Sequence, residues 1–470
     1  MNEENVYSIE LTKDKTERLD ALFNNPFLIK KIEKLKKILS NKNNTLFSLG
    51  DKKVAGVNGG KRLPKGLVVI QNERATIPYI SATDIKEESI DFDNCKKITP
   101  EIYDLIKNYN LKKEDLVITI VGTIGEVGIV NSPLQENAFS ENVARIRKKT
   151  DDINTKFLVH MLNTPFCKMQ TNRLAVGSLQ YKLSLKNCRE INISLPTINK
   201  EISLDMQEKI LKKIEKFENE VEDKKRESQK IIIETNEKIR KILGLEKLPE
   251  KSEFNTYSSL LELDRIDALF NSPFRNKIKN IIEKKDYEVL EKLMEIQKKG
   301  EVFPSEFYNL VELYDIDENF GEIKNVREVT ILGSDKVVFR KGELLISRLQ
   351  PENGKIMIVN EKTDGFLGSG ELIPIKIISE KVLLEYLWII LRTPYILRQW
   401  EYSIRGSSRE RIGDTELYET LIPLPDTKIQ EKIIELVKED YGIAKKLIKE
   451  GKELKEKISD IFMREILNKD

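Results

Sequence analysis

The sequence predicts an α+β fold: two pseudo-repeated globular modules separated by two long antiparallel coiled-coil helices. The first observation is an internal repeat, because the segment 18–27 (RLDALFNNPF) returns at 265–274 as RIDALFNSPF. The second is a long run of helical apolar spacing after each module. The third is the length, since 470 residues are too many for one core.

The repeat continues through each half of the chain. Four pairs carry it: Thr164-Pro165 returns as Thr393-Pro394, Gly177-Ser178 as Gly406-Ser407, Leu195-Pro196 as Leu424-Pro425, and Gln207 as Gln430. Such a built-in pseudo-dimer suits a partner with its own two-fold symmetry, and duplex DNA is the commonest of these.

The globular modules carry both strand and helix patterns. Runs rich in β-branched residues, bounded by Gly, Pro or Asn, predict strands at 66–70, 116–121, 191–195 and 342–347. Helical spacing predicts helices over 155–170 and 385–400. The glycine-rich segment 122–128 predicts a tight turn between two strands, where glycine supplies a positive φ.

The long helices follow the Leu-Pro pairs. Residues 207–243 contain neither Pro nor Gly, and Gly244 is placed to cap the helix end. Apolar residues form a 4-3-4 seam in both copies: Ile210, Ile214, Phe217, Val221, Ile231 and Ile242 in the first; Val437, Tyr441, Ala444, Ile448, Ile458 and Phe462 in the second. The alternative is two independent amphipathic helices, but the matched seams favour an antiparallel pair, a rigid rod with a module at each end.

These patterns predict four segments. They are a first module at 1–202, a first spacer helix at 203–249, a second module at 250–426 and a second spacer helix at 427–470.

Composition excludes several classes of protein. Hydrophobic residues make up 39% and charged residues 34%, as in globular proteins with long solvated helices. The formal charge of +2 shows no global basicity, so a nucleic-acid surface would need local segregation of charge. Cys95, Cys167 and Cys188 form no metal-binding spacing, and we expect reduced thiols in a cytoplasmic protein. The acidic N-terminus is unlike a secretory signal, and no apolar run is long enough for a membrane span.

Catalytic motifs are missing from the sequence. His160 is the one histidine of the chain and lies in a helix-like run, so we interpret it as an ordinary helical residue. Neither a GxxxxGK[ST] phosphate loop nor a GxGxxG fingerprint occurs. No metal site is expected.

One motif resembles a catalytic loop. The segments 24–27 and 271–274 are similar to the Asn/Asp-Pro-Pro-Tyr/Phe loop of amino-methyltransferases, but each has one proline and no cofactor glycine loop precedes it. We interpret the first copy as a turn, with Leu22, Phe23 and Phe27 anchoring it in the module core.

The order of these motifs along the chain resembles that in the DNA-specificity (S) subunit of type I restriction–modification systems. The matching pieces cover nearly the whole chain. They are the Arg-Leu/Ile-Asp-Ala openings, 79–85 (YISATDI), the strand–turn–strand at 115–130, the Thr-Pro segment 157–170, the Gly-Ser and Leu-Pro pairs, and the Gln-Glu-Lys-Ile helix starts. The second module departs at 348–355, where RLQPENGK replaces the glycine turn, which suggests that the two modules read different sequences.

The resemblance implies a function without catalysis. Each module would be a target recognition domain reading one half of a bipartite, asymmetric site in double-stranded DNA. The paired helices would set the spacer and dock two methyltransferase subunits, to which restriction/translocase subunits are added. It implies no cofactor on this chain; S-adenosylmethionine belongs to the methyltransferase subunits, and ATP and Mg to the restriction subunits.

Candidate DNA-binding residues are the donors and acceptors near the turns. The segments after the Gly-Ser pairs come first, the turn of each module second, and a Gly-rich loop at 56–66 third. The predicted residues are Lys61, Arg62, Thr119, Thr123, Ser178, Gln180 and Lys182 in the first module and Arg348, Gln350, Asn353, Arg405, Ser407, Arg409 and Arg411 in the second. In a neutral interpretation, any one of them is a surface residue or a phosphate contact.

Three other classes compete with this interpretation. A stand-alone, two-headed DNA-binding regulator would usually carry a visible basic excess, which this chain lacks. A fused methyltransferase or nuclease would need the missing cofactor motifs. A coiled-coil scaffold unrelated to DNA would leave the two elaborate modules unexplained.

Overall fold

The structure is a computed structural model of the chain, and its two halves repeat one arrangement of elements. It describes residues 23–41, 43–64, 75–86, 88–92, 95–131, 136–177, 181–249, 272–333, 335–404 and 410–467. The predicted strand at 66–70 lies outside these residues.

The first half ends in a 39-residue helix. Its described elements are α1 (Pro26–Leu39), β1 (Asn44–Ser48), β2 (Ala55–Gly59), β3 (Ile77–Ile80), β4 (Ile85–Lys86), β5 (Ser89–Ile90), β6 (Lys97–Ile98), α2 (Pro100–Ile106), β7 (Leu116–Thr119), β8 (Val127–Ile129), β9 (Ala138–Phe139), β10 (Val143–Lys148), α3 (Thr155–Asn163), α4 (Pro165–Leu174), α5 (Leu185–Arg189), β11 (Asn192–Ile198), β12 (Glu201–Ile202) and α6 (Leu204–Ile242).

The second half ends in a 41-residue helix. Its described elements are α7 (Pro273–Glu283), β13 (Tyr287–Val289), β14 (Met294–Ile296), β15 (Tyr308–Val311), β16 (Arg327–Val329), β17 (Lys336–Val338), β18 (Leu344–Ser347), β19 (Ile356–Ile358), β20 (Leu367–Ser369), β21 (Leu372–Ile377), α8 (Leu384–Leu391), α9 (Pro394–Glu401), α10 (Asp414–Tyr418), β22 (Leu421–Pro423) and α11 (Thr427–Leu467). The fold is α+β, as predicted.

The chain forms two compact units, and each contains part of both long helices. Unit 1 comprises residues 1–222 and 451–470, and unit 2 comprises residues 223–450. The four-stranded sheet of unit 1 has the order β2-β10-β7-β8, and that of unit 2 has the order β14-β21-β18-β19. All the pairs in both sheets are antiparallel. The repeat seen in the sequence is therefore also a repeat of sheet topology.

Proline and its neighbours set the helix boundaries. The helices predicted over 155–170 and 385–400 are each two helices, α3 and α4 or α8 and α9, and the break falls at the Thr-Pro pair. Pro165 and Pro394 begin the second helix, since proline is tolerated in the first turn but holds the preceding residue in an extended conformation.

The Asn-Pro-Phe motif also marks a helix start. The Asn25 side chain accepts hydrogen bonds from the backbone N–H groups of Phe27 (3.0 Å) and Leu28 (3.1 Å), and Pro26 follows as the first helical residue. This is an N-cap. The prediction that Phe27 anchors the core is wrong, because its side chain is 80% exposed. Phe23 does pack against the core, with the Arg173 guanidinium over its ring, and Leu22 lies outside the described residues.

The two long helices run antiparallel within each unit. In unit 1, Lys213 pairs with Glu465 (2.7 Å) and the Lys457 ammonium lies over the Phe217 ring. In unit 2, Lys224 pairs with Glu450 and Lys238 with Asp440 (2.8 Å). From Lys213 to Lys238 the position along α6 increases, whereas that of the α11 partner decreases from Glu465 to Asp440, as in an antiparallel pair.

The predicted seam and its end are confirmed. Ile214, Val437 and Phe462 are among the seam residues that are buried. Gly244 follows α6 with a φ of +62°, and the N–H of Leu245 donates to the Arg240 carbonyl (3.0 Å), the geometry of a glycine C-cap.

Buried glutamines fasten each long helix to its own module. The Gln207 amide accepts from Asn154 N–H (3.0 Å) and donates to the Asp152 carbonyl (2.8 Å). Gln430 accepts from Leu383 N–H (2.9 Å) and donates to the Lys381 carbonyl (2.8 Å). Neither side chain is exposed to solvent. These "glutamine clamps" (Gln207 and Gln430) give a physical reason for the repeated Gln at the helix starts.

Each unit has its own core against these helices. In unit 1, Phe157 of α3 packs against Phe462 of α11, with the ring planes tilted by 52° and the ring centroids 4.9 Å apart. In unit 2, the buried Trp400 donates through Nε1 to the Thr420 hydroxyl (2.9 Å). Among the described residues, no helix combines the length and apolar character that crossing a bilayer requires.

Candidate nucleic-acid interface

In the first module, the turn after β7 meets the segment after α4. This turn, residues 120–126, has Gly122 and Gly125 at φ values of +84° and +85°, as predicted for a tight glycine turn. Lys182 forms antiparallel β-bridges with Val121 and with Val176, and Leu183 N–H donates to the Ile120 carbonyl (2.8 Å). The backbone therefore holds the end of the Gly-Ser segment beside the turn.

The loop after β2 reaches the same end of the sheet. Gly60 N–H donates to the Val143 carbonyl (3.2 Å), and Ile120 N–H donates to the neighbouring Asn142 carbonyl (2.9 Å). Gly60 is needed here, since a Cβ would lie 2.2 Å from the Ser140 carbonyl oxygen. Lys61, which follows it, is exposed. Lys61 and the turn thus belong to one edge of the module.

The other predicted residues of this module differ in availability. Thr123 and Lys182 are exposed. Arg62 is exposed but pairs with Glu141 (Nε to Oε1, 2.6 Å). Thr119, expected to face outward, is buried: its hydroxyl donates to the Thr123 carbonyl and accepts from Glu126 N–H (3.0 Å). It shapes the turn, because both of its hydrogen-bonding functions are used inside it. Ser178 and Gln180 lie outside the described residues.

The second module brings the corresponding segments together. Leu349 forms an antiparallel bridge with Arg411, Gln350 N–H donates to the Glu410 carbonyl (3.0 Å), and Ile412 N–H donates to the Arg348 carbonyl (3.1 Å). The turn itself is a short 3-10 helix, Pro351–Asn353. The same pairing of turn and Gly-Ser segment thus exists in both modules with different residues.

The two described arginines of this site are held by carboxylates. Arg411 makes a two-pronged ion pair with Glu371 (Nε to Oε2, 3.0 Å), and Arg348 pairs with Asp414. The hydrogen bond from Arg411 holds the pKa of the Glu371 carboxyl below its usual range, and the charge of Arg348 contributes. Both guanidiniums are therefore oriented by the protein before any ligand binds.

Gln350 and Asn353 remain the exposed amides of the turn. Gln350 has a φ of +47°, a left-handed conformation that non-glycine residues adopt rarely and at a cost. Such strained residues cluster at binding sites. Arg405, Ser407 and Arg409 lie outside the described residues.

Sequence reasoning missed Glu352, which lies between these two amides. Its Oε2 is buried and has no hydrogen-bond partner among the described residues. Burial, together with the nearby charges of Glu410 and Glu401, raises the pKa of its carboxyl to about 7. Its position in the divergent turn was a signal, but its burial could not be read from the sequence.

The raised pKa of Glu352 predicts that the stability of unit 2 depends on pH. Because its folded pKa lies above the unfolded value, folding favours the protonated form, so stability falls as pH rises from about 4.5 to about 7. We expect Glu352→Gln to stabilise unit 2 by about 1–3 kcal/mol at pH 8 and much less at pH 5. Urea unfolding at both pH values measures this. Glu380→Gln, at an exposed carboxylate of the same unit, is the control. An equal effect of Glu352→Gln at both pH values would exclude this titration.

The possible metal ligands and the thiols of the described residues are arranged as follows. Among the described residues, no group of three or more His, Cys, Asp or Glu side chains is placed to hold a metal ion. The three cysteines are free and buried, and burial raises the pKa of Cys95 to about 11 and those of Cys167 and Cys188 to about 12. His160 lies in α3 with its Nε2 3.0 Å from Glu218 Oε1.

These features define an internally duplicated α+β protein with one polar turn site in each module. A family model described as type I restriction modification DNA specificity domain matches residues 41–231 and 275–454. The matched residues are more than half of the chain, so the protein belongs to this family. The two matched segments also coincide with the two halves of the repeat.

Curated relatives match shorter stretches. The specificity subunit of the type I restriction enzyme EcoBI from Escherichia coli is 28% identical over 141 residues, 30% of this chain and 28% of the relative. That of HindI from Haemophilus influenzae is 25% identical over 118 residues, 25% of each chain. The matched part is therefore about a quarter of the length of these relatives.

Solved structures match over most of the length at low identity. The type I S subunit from M. genitalium covers 91% of this chain, 96% of its own chain, at 13% identity with a TM-score of 0.34. The HsdS subunit from Thermoanaerobacter tengcongensis covers 90% of this chain and 97% of its own, at 14% identity with a TM-score of 0.33.

Proposed function

We propose that this chain is the DNA-specificity subunit of a type I restriction–modification complex. Each module reads one half of a bipartite, asymmetric site in double-stranded DNA, and the paired helices fix the gap between the halves. The chain carries no catalytic group of its own. It is a scaffold for two methyltransferase subunits and for restriction/translocase subunits, and it acts in the cytoplasm, where the DNA is.

One observation carries the proposal. In both modules the polar turn after the third strand of the sheet (β7 or β18) is joined by a β-bridge to the segment after the Gly-Ser pair, Val121 with Lys182 and Leu349 with Arg411. A shared frame that presents different side chains is what a protein needs to read two different half-sites. Exposed loop amides and cations are the groups that contact base edges and phosphates.

The side chains at the two turns suggest different tasks. The first module presents Thr123 and the cations Lys61 and Lys182, whereas the second presents the amides Gln350 and Asn353 between two braced arginines. Amides pair in two-point fashion with adenine, and Arg or Lys with guanine. The two half-sites are therefore expected to differ in base composition.

The test measures the half-sites separately. The first half-site is the one that the first module reads. In the complex with the methyltransferase, Lys182→Ala should weaken the binding of a duplex with an intact first half-site about 10-fold. The variant should leave the discrimination between bases at the second half-site unchanged. Lys149→Ala is the matched control, because Lys149 is an exposed lysine just after β10, at the opposite end of the same sheet. Equal weakening by both variants would indicate general attraction to phosphates and would remove Lys182 from the reading surface.

A further inference from the structure

Unit 1 contains a cavity that the DNA-reading proposal does not use. It has a volume of about 770 Å³ and lies among α3, the β4–β5 turn, the first half of α6 and the last part of α11. Its walls combine apolar and acidic side chains. Ser89, Val159, His160, Asn163, Glu218 and Glu222 are among the residues that line it.

The corresponding place in unit 2 is filled by the protein's own aromatic and cationic side chains. The Arg392 guanidinium lies 4.6 Å from the centroid of the Trp388 ring and donates to the Glu318 and Asn319 carbonyls. Trp388 Nε1 donates to the Ile356 carbonyl (3.1 Å). On the helix side, Tyr441 meets Phe320 edge-on with ring centroids 5.4 Å apart. The Lys445 ammonium lies 5.3 Å from the centroid of the Phe320 ring. We call Phe320, Trp388, Arg392, Tyr441 and Lys445 the plug.

The internal repeat gives the unit 1 counterparts of four plug residues. In the register of Thr164 and Thr393, Trp388 corresponds to Val159 and Arg392 to Asn163. In the register of the glutamine clamps, Tyr441 corresponds to Glu218 and Lys445 to Glu222.

The fifth correspondence follows from a shared turn. Both modules have a 3-10 turn closed by an aspartate capping box, Ala82–Asp84 and Leu313–Asp315. In that register Phe320 corresponds to Ser89. All five counterparts line the cavity, so the replacement of large or cationic residues by small or acidic ones accounts for the empty space.

The charge of the cavity is complementary to the missing plug. Four glutamates line it, Glu88, Glu218, Glu222 and Glu456, against two lysines, Lys156 and Lys455. Lys156 is engaged with Glu218 (2.7 Å). Glu222 and Glu456 are exposed and make no ion pair within the described part of the chain. A ligand that carries a cation and an aromatic ring could place the cation against these carboxylates and the ring against Phe462 and Val159, which also line the cavity.

We propose that this cavity docks a partner protein segment that presents an aromatic ring and a guanidinium one helical turn apart, as Trp388 and Arg392 are. The segment supplies in trans what unit 2 carries in its own chain. A subunit with two related modules therefore takes this partner at unit 1 and closes the equivalent place in unit 2. The inference holds whether or not the modules read DNA.

His160 makes the test specific, because it is the one histidine of the chain and lines the cavity. The full chain, labelled in histidine, is titrated with the peptide acetyl-Trp-Ala-Ala-Ala-Arg-amide while the imidazole Hε1 signal is followed by NMR. We expect a saturable shift with half-saturation below about 1 mM. The same peptide ending in Glu in place of Arg should give no shift in that range.

Two variants separate binding from misfolding. Glu222→Gln with Glu456→Gln, both at exposed positions, should weaken binding about 10-fold without changing the circular dichroism spectrum. Val159→Trp with Asn163→Arg, which installs two plug residues, should abolish it. Absence of a shift with the arginine peptide, or equal shifts with both peptides, would overturn the proposal. A His160 shift that depends on protein concentration without peptide would assign the cavity to a second copy of the chain and would also overturn it.

Discussion

Replacing Gln350 and Asn353 together by alanine is expected to abolish discrimination at one half-site and leave the other intact. Both side chains are exposed in the turn after β18, and each two-point contact with a base contributes about 1–3 kcal/mol of discrimination. The double variant should therefore lose about 10²- to 10³-fold in preference for the cognate second half-site. Competition binding with duplexes altered in one half-site at a time, at fixed salt, measures this.

The control for that experiment is Asn280→Ala. Asn280 is an exposed asparagine on α7 of the same unit, away from the turn in sequence and element. It should leave both half-sites unaffected. Weakening of both half-sites by the Gln350 and Asn353 variant, in equal measure, would contradict a base-reading role and indicate that the turn maintains the fold instead.

Gln207→Leu is expected to destabilise unit 1 by about 2–4 kcal/mol, because it leaves buried backbone groups without partners. The variant removes the acceptor for Asn154 N–H and the donor for the Asp152 carbonyl, in a side chain with no solvent exposure. Hydrogen exchange should show loss of protection at the Asn154 amide and at the start of α3. The peptides of unit 2 should keep their exchange rates.

The repeat supplies both a reciprocal variant and a control. Gln430→Leu should act in the same way on unit 2, where its amide holds Leu383 and Lys381. Gln229→Leu changes an exposed glutamine of α6 and should have little effect. If Gln207→Leu affected both units equally, or neither, the clamp would not be what joins each helix to its own module.

The repeat made much of the fold predictable. Gln207 and Gln430, at equal positions in the two copies, fasten the two long helices in the same way. Within the first copy, Gly122 and Gly125 form the predicted tight turn with positive φ values. Antiparallel helices followed from two equal modules preceding them. The end of α3 at Asn163 could also have been predicted from Pro165, since proline holds the residue before it, Thr164, in an extended conformation.

The candidate site was less predictable because its partners are distant in sequence. Arg411 was expected to face DNA, and its pairing with Glu371 depends on strand β21 lying beside the turn. Thr119 was expected to be available, but the turn uses its hydroxyl. Phe27 follows an N-cap whose geometry directs it outward. For each of these residues the sequence shows the chemical type of the side chain. Its role depends on neighbours that only the folded structure brings close to it.

We propose that this chain alone sets the DNA sequence that its complex recognises. The test is methylome sequencing of a host that expresses the chain together with a type I methyltransferase subunit with which it co-purifies. We expect a new two-part adenine motif with a fixed gap, which is lost when the chain is omitted. The Gln350 and Asn353 variant should alter only one half of this motif. A stable complex of the two proteins that produced no new methylation, or a motif that persisted without the chain, would contradict the proposal.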